Sequence, residues 1–266
     1  MKRNFLFVLS LILLIGIFAG CSGRGNGQSE EPEQDESASS GGAYVRPTVE
    51  EAAENNSQLD DASINLIQYQ PVNPGDIIAV METSMGEIRI RLFPEHAPLA
   101  VENFVGLAEE GYYNGKTFHR IIGEFMIQGG ALNSSGAGGT SIYKNEDGEA
   151  MPFDDEFTTD LWNFRGALSM ANSGPNTNMS QFFIVQNKRL PEQMLQQMGE
   201  AGFPPKVVEK YAENGGTPHL DWMHTVFGQV IEGMDVVDEI AAVETNDRDR
   251  PMEEIIIVSL TIEEAR

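Results

Sequence analysis

Short apolar runs separated by turn-forming residues dominate the chain from residue 76 onward. Residues 77–81 are almost wholly apolar, and residues 87–93 alternate between apolar and charged side chains. A period of two is typical of β-strands, so we expect a hairpin with its turn at 83–86. Residues 99–110 instead space their apolar side chains three and four apart, which predicts an amphipathic helix.

The same texture continues through the second half of the chain. Two apolar runs flank a Gly-Glu break in the stretch 118–130, which predicts two strands or one bent strand. Further strands are predicted at 166–171, 181–185, 224–230 and 255–262, and a second helix at 234–243. Many short strands with two helices indicate a mainly β protein, and we expect a closed antiparallel β-barrel.

Residues 190–216 interrupt this pattern. Residues 192–200 and 206–213 each fit a short helix. Gly202 and a pair of prolines separate the two helices, and a Gly-Gly pair at 215–216 closes the segment. We therefore expect a small helical insertion added to the barrel.

The first twenty residues predict export. Two basic residues precede an apolar run at 5–18, which is too short for a full membrane span. Small residues then lead to Cys21, and this ending resembles the lipobox of bacterial lipoproteins, although Phe18 stands where Leu is commoner. The resemblance implies a lipoprotein signal peptide at 1–20 and a lipid on Cys21 that anchors the protein to a bacterial membrane, outside the cytoplasm. The alternative is a plain signal peptide with a chance cysteine.

Composition and charge separate a tether from a compact domain and exclude several partners. Residues 21–75 begin with Ser, Gly, Glu and Gln and predict an acidic tether, while 76–266 have the composition of a folded domain. The formal charge of −24 argues against nucleic acid and against docking on an anionic bilayer through a basic patch. One cysteine excludes a disulfide framework. The four histidines lack metal-site spacing, so we expect neither a metal nor another cofactor.

The most unusual stretch is 118–130, where Arg120 lies among aromatic and aliphatic residues. One interpretation is an edge strand whose guanidinium reaches water. The other is a shallow apolar pocket with a fixed guanidinium over it. Because the stretch brings no second positive charge, such a pocket would suit a neutral ligand better than a phosphate. The Gly-rich stretch 133–140 lacks the Gly-Lys-Ser/Thr ending of a phosphate loop, and we expect a flexible loop that approaches a ligand.

Three blocks of sequence resemble the cyclophilin family of peptidyl-prolyl cis-trans isomerases. They are a Phe-His-Arg block at 118–130, a Ser-Met-Ala-Asn-Ser-Gly-Pro-Asn block at 169–184 and a His-Leu-Asp-Trp-Met-His block at 219–228. The similarity extends from Asp76 to the C-terminus, apart from 190–216. It implies an eight-stranded antiparallel barrel closed by two helices, with the site on its outer face.

The resemblance also implies a role for each site residue. Arg120 is implied as the catalytic cation, and Gln128 and His224 are implied to assist it. Together with Asn172, these two residues would hold the substrate backbone or close the pocket. The implied lining of the proline pocket is Phe125, Met126, Phe183 and Leu220, and the neighbouring groove is bordered by Ala171, Ser173, Gln181 and loop 136–140.

Two features depart from the common pattern. His219, which the resemblance also places among the substrate-binding residues, stands where many members have Trp. This implies weak binding of cyclosporin-class inhibitors and leaves the catalytic set intact. The insertion at 190–216 resembles that of some bacterial cyclophilins. Because it ends close to His219 in sequence, we expect it beside the site.

These features together predict a monomeric isomerase that accelerates the folding of exported proteins by turning X-Pro bonds in unfolded or nascent chains. Two other functions remain open. One is a non-catalytic chaperone module that holds proline-containing segments. The other is a structural envelope lipoprotein in which the barrel is only a scaffold. The complete set of Arg120 and its pocket residues favours catalysis.

Overall fold

The computed structural model describes residues 59–266, so the predicted signal peptide, Cys21 and most of the tether lie outside the described residues. The strands are β1 (Ile77–Thr83), β2 (Gly86–Leu92), β3 (Arg120–Ile122), β4 (Met126–Gly129), β5 (Ala167–Met170), β6 (Phe182–Val185), β7 (Val226–Glu232) and β8 (Ile257–Glu264). The helices are α1 (Pro98–Glu109), α2 (Glu192–Glu200), α3 (Pro205–Asn214) and α4 (Met234–Ala241), with 3₁₀ turns at Ile67–Tyr69 and Pro218–Leu220.

All eight strands belong to one curled antiparallel sheet. Its order is β3-β4-β6-β5-β7-β2-β1-β8, and β1 pairs with β2 as the predicted hairpin. The segments that precede the two edge strands meet at an isolated bridge between Thr117 and Ile256, where the amide of Phe118 donates to the carbonyl of Ile255 at 2.9 Å. The mainly β antiparallel fold expected from the sequence is confirmed.

Alternation along the strands places the main core inside the curl. Ile88 and Ile90 of β2 are fully buried there, and Phe104 of α1 packs between the rings of Phe182 and Phe227 at 5.7 and 5.3 Å. Burial of large apolar side chains of this kind contributes about 1.5–3 kcal/mol each. Helices α1 and α4 therefore complete the core that the curled sheet leaves open.

Helices α2 and α3 form the predicted insertion and pack on a separate apolar cluster. Tyr211 of α3 lies against Phe164 with ring centroids 4.5 Å apart, and Trp162 is buried in the same cluster. The Lys206 ammonium donates to the carbonyl of Ile64 at 2.8 Å. The insertion is thereby fixed to the barrel. No helix within residues 59–266 is long and apolar enough to cross a bilayer.

Candidate active site

Three neighbouring strands bring the central site residues onto one face of the sheet. Arg120 of β3 lies opposite Gln128 of β4, and Gln128 lies opposite Phe183 of β6. Residues directly opposite each other on antiparallel strands share a face, so these three side chains form a row across the sheet. The intervening residues Ile127 and Ile184 are buried in the main core. The row therefore lies on the outer face of the curled sheet.

A second apolar cluster lies on this outer face. Met126, Phe183 and Leu220 are buried in it at 2%, 4% and 9% exposure, and Phe125 and Ala171 pack against it. The four residues expected to take a proline ring are thus brought together. These side chains offer apolar contact to a ring-sized group, and removal of apolar surface from water favours such binding.

Two histidines border the apolar cluster. The His224 ring meets Phe183 edge-on at 5.3 Å, and its Nδ1 lies 2.9 Å from the carbonyl of Met170. A carbonyl can only accept, so His224 carries its proton on Nδ1. The ring of His219 stacks on Phe125 at 5.6 Å and 22°. Burial first, and the neighbouring His224 second, lower the pKa of His219, which favours its neutral form.

A chain of amide hydrogen bonds fixes the side chain of Gln128. Its Nε2 donates to Gln181 Oε1 at 3.0 Å, and Gln181 Nε2 donates to the carbonyl of Gly138 at 2.8 Å and that of Gly136 at 3.2 Å. A cavity of about 330 Å³ lies beside these amides, and Ala171, Asn172, Ser173 and the 136–139 segment line it. The structure thus brings together around one cavity the residues that the resemblance assigns to the neighbouring groove.

The polar loop 172–178 is held in place from both sides. Asn172 Nδ2 donates to the carbonyl of Met223 at 3.0 Å, and the amide of Ser173 donates to Thr177 Oγ1 at 2.9 Å. Asp155 accepts from Asn178 Nδ2 at 2.8 Å. Asn172 is therefore tied to the loop that carries His224, while Ser173 remains exposed at the rim.

The structure places Arg120 at the edge of the sheet. Strand β3 is an edge strand, and the Arg120 side chain is 44% exposed, with its Nε 3.4 Å from Asp249 Oδ2. The apolar cluster also lies beside it, through the row with Gln128. The guanidinium is thus partly exposed to water, at the end of the row that leads through Gln128 to Phe183 of the apolar cluster.

The expectation of no second positive charge near Arg120 is wrong. Arg248 and Arg250, in the turn between α4 and β8, line a cavity of about 680 Å³ together with Arg120 and His119. Burial first, then Arg250 and Arg120, lower the pKa of His119 to about 4. The adjacent arginines were visible in the sequence. However, no local pattern indicates that a turn about 130 positions later lies against β3, because that contact depends on the sheet topology.

The part of the chain that the structure describes contains no cluster of three His, Cys, Asp or Glu side chains able to hold a metal ion. The chemistry available at the site is that of a fixed cation, oriented amides and a dry apolar surface.

Comparison with known proteins shows the class to which this fold and site belong. Residues 78–262 match the family model described as cyclophilin type peptidyl-prolyl cis-trans isomerase, and the chain belongs to this family. It is an isomerase of the cyclophilin type.

Relatives and solved structures agree on this family. The chain is 51% identical over 193 residues to a protein of Staphylococcus aureus (strain USA300) named "Putative peptidyl-prolyl cis-trans isomerase", covering 73% of this chain and 95% of that protein. A Staphylococcus saprophyticus protein of the same name gives the same identity and coverage. A crystal structure of a Cryptosporidium parvum cyclophilin type peptidyl-prolyl cis-trans isomerase in the presence of the dipeptide Ala-Pro is 31% identical, with a TM-score of 0.55. The match covers 70% of this chain and 98% of that one.

Proposed function

We propose that this cyclophilin accelerates the cis-trans isomerisation of X-Pro bonds in exported proteins, outside the cytoplasm, while a lipid on Cys21 anchors it to the membrane. The observation that carries the catalytic part is the row of Arg120, Gln128 and Phe183 across three strands, beside a dry apolar cluster. The location outside the cytoplasm is supported by the lipobox-like ending before Cys21.

The reaction needs selective binding of a twisted amide. Resonance gives the C–N bond partial double-bond character and a rotation barrier of about 18–20 kcal/mol. At the half-rotated transition state this resonance is lost, and the proline nitrogen becomes a hydrogen-bond acceptor. A guanidinium placed at that nitrogen binds the twisted form better than either planar form, which lowers the barrier. Arg120 is the candidate, since its charge does not titrate and its planar group holds direction.

The remaining residues hold the substrate still while one side of the bond turns. Phe125, Met126, Phe183 and Leu220 would grip the proline ring in the apolar cluster. The same surface keeps water from competing for the donor, and a lower local dielectric strengthens the hydrogen bond.

The polar border would hold the peptide backbone. The amide of Gln128 is oriented by Gln181, and Asn172 is tied to the loop that bears His224. Groups that are already oriented lose little entropy when a substrate binds. No nucleophile and no proton transfer is required, so the reaction proceeds without a covalent intermediate.

The role of Arg120 is tested by Arg120→Ala in an exchange assay on an Ala-Pro peptide. We expect kcat/KM to fall by about 10²–10³, the usual effect of removing a transition-state donor. Because the side chain is exposed, the free energy of unfolding should change by no more than about 0.5 kcal/mol. Lys144→Ala removes an exposed cation that lines neither cavity and serves as the control. Activity close to that of the unmodified protein in Arg120→Ala would refute the role, and retained peptide binding without turnover by the unmodified protein would favour the chaperone alternative.

A further inference from the structure

The turn between α4 and β8 is attached directly to the strand that carries Arg120. Thr245 and Pro251 bridge to each other and close the turn. The amide of Ile121, the residue after Arg120, donates to the carbonyl of Asp249 at 2.7 Å. The position of this turn relative to Arg120 is therefore set by the main chain and not by flexible side chains.

The turn is also rigid within itself. Asn246 Oδ1 accepts from the amides of Arg248 and Arg250 at 2.9 and 3.2 Å, and the amide of Asn246 donates to the carbonyl of Arg250 at 2.8 Å. Asp249 adopts a left-handed conformation with φ of 59°, which Asp tolerates better than most residues. The backbone that bears both arginines is thus organised before any ligand arrives.

The positive charges of Arg248 and Arg250 are not neutralised by a neighbouring carboxylate. Within residues 59–266, neither Arg248 nor Arg250 has a carboxylate within 4.0 Å, whereas Arg120 pairs with Asp249 at 3.4 Å. Asp247 is in the same turn but does not line the cavity. In a chain with a formal charge of −24, two guanidiniums without an ion-pair partner that converge on one cavity indicate a site for an anion.

The cavity shares Arg120 and Gln128 with the row that leads to Phe183 of the apolar cluster. Arg120 and Gln128 belong to its lining, and Gln128 also lines the neighbouring groove. A peptide that places its proline on the apolar cluster would therefore extend over this cavity on one side. An extended chain advances about 3.4 Å per residue, so the residues within about three positions of the proline can reach it.

We propose that this cavity binds an acidic side chain of the substrate, through Arg248 and Arg250, within about three residues of the isomerised proline. This inference rests on the proposed isomerase function and adds a preference for acidic prolyl segments. Asp and Glu fit because a guanidinium donates two parallel N–H groups to a carboxylate. His119, which also lines the cavity, is neutral near pH 7, so the positive charge of the cavity comes from its arginines.

The test uses the full chain and a neutral alanine-rich host peptide with one X-Pro bond. Glu or its isostere Gln is placed in turn at each of the three positions before and after the X-Pro pair, and kcat/KM is measured by NMR exchange. At low ionic strength we expect one or two positions on a single side to give a Glu-to-Gln ratio of about two to five, as partly exposed ion pairs do. The ratio should fall towards one in about 0.5 M salt because screening weakens the interaction.

Variants then assign the preference to the two arginines. Arg248→Gln and Arg250→Gln should each lower the Glu-to-Gln ratio. Arg248→Glu should bring this ratio below one, and a host peptide with Lys at the same position should then be turned over faster than the Gln peptide. Lys144→Gln removes an exposed charge away from the cavity lining and should leave the ratio unchanged. A ratio of one at every position, with normal turnover of the Gln peptides, would overturn this inference alone. Failure to turn over any peptide would instead overturn the proposed isomerase function.

Discussion

His219 is the residue at which we expect inhibitor binding to differ from that of many cyclophilins. Its ring lies nearly parallel to Phe125, at the border of the apolar cluster, and burial lowers its pKa. An imidazole is smaller and more polar than the indole that many cyclophilins carry at this point. Of the four residues proposed to bind the proline ring, His219 stacks only on Phe125, so we expect a change here to affect inhibitor binding more than catalysis.

We expect cyclosporin to bind weakly and His219→Trp to tighten its binding about tenfold. An indole adds apolar contact area and an N–H donor, and aromatic contacts contribute about 0.5–1.5 kcal/mol beyond burial. The measurement is a competition titration against a labelled cyclosporin. His219→Phe is the matched control, because it adds apolar area without a donor and should give a smaller gain. Tight binding by the unmodified protein would contradict the expectation.

Residue patterns predicted the centre of the site but not its charged border. Arg120, Gln128 and Phe183 fall in blocks whose family resemblance could be read directly, and the period of two places them on one face. Arg248 and Arg250 lie in a turn with no such block around it. Their place beside Arg120 follows from a hydrogen bond between segments far apart in sequence, which local patterns do not encode.

At the scale of elements, the two strands predicted at 224–230 and 255–262 each begin two residues later in the structure. The strand predicted at 224–230 begins later because the chain forms consecutive turns from Pro218 onward. In these turns the amide of His224 donates to the carbonyl of Leu220 at 3.2 Å. For the second, the carbonyl of Ile255 accepts instead from the segment before β3. Both delays come from contacts that position the site or close the sheet.

Asp221 joins the insertion to the barrel beside the site. The residue as a whole is partly exposed, but one carboxylate oxygen accepts from the amide of Asn163 at 2.8 Å and the other from the Tyr211 hydroxyl at 2.7 Å. Burial raises the pKa of Asp221 to about 7, despite these hydrogen bonds. The carboxyl group therefore holds its proton in the folded protein at pH values where an unfolded chain would release it.

This raised pKa predicts a loss of stability as pH increases. Between about pH 4 and pH 7 the folded state binds more protons than the unfolded state, so the free energy of unfolding falls across this window, by at most about 4 kcal/mol, and levels off above pH 7. In Asp221→Asn the Asp221 contribution disappears, and the pH dependence should flatten. Urea unfolding at several pH values measures the pH dependence of the unmodified protein and of Asp221→Asn. Asp147→Asn, at an exposed loop position, is the control. Identical pH profiles for Asp221→Asn and the unmodified protein would contradict the assignment.

At the scale of the whole molecule, an acidic protein carries two arginines, Arg248 and Arg250, that have no ion-pair partner within residues 59–266 and lie next to its candidate active site. The formal charge of −24 would repel acidic substrates at long range, and a cluster of guanidiniums offsets this repulsion only within about 10 Å at moderate salt. Any preference for acidic segments should therefore act after encounter, on the lifetime of the bound peptide more than on its arrival.

The proposed membrane anchoring rests on Cys21, the only cysteine of the chain. We expect a bacterial host grown with labelled palmitate to incorporate label into the unmodified protein, and Cys21→Ser to abolish it and release the protein from the membrane fraction. A single acyl chain binds a bilayer only marginally, so stable retention requires more than one chain. Label and membrane retention should consequently be lost together.

Ser22, the residue after Cys21, provides the control that separates a lipoprotein signal peptide from a plain one. Ser22→Ala changes the residue next to the acceptor without removing the thiol, and it should leave both labelling and fractionation unchanged. If the unmodified protein carried no label and were released in soluble form, a plain signal peptide with a chance cysteine would explain the sequence. In that case the catalytic proposal would stand unaltered, because Arg120 and the apolar cluster lie in the described domain, more than 90 positions from the acceptor cysteine.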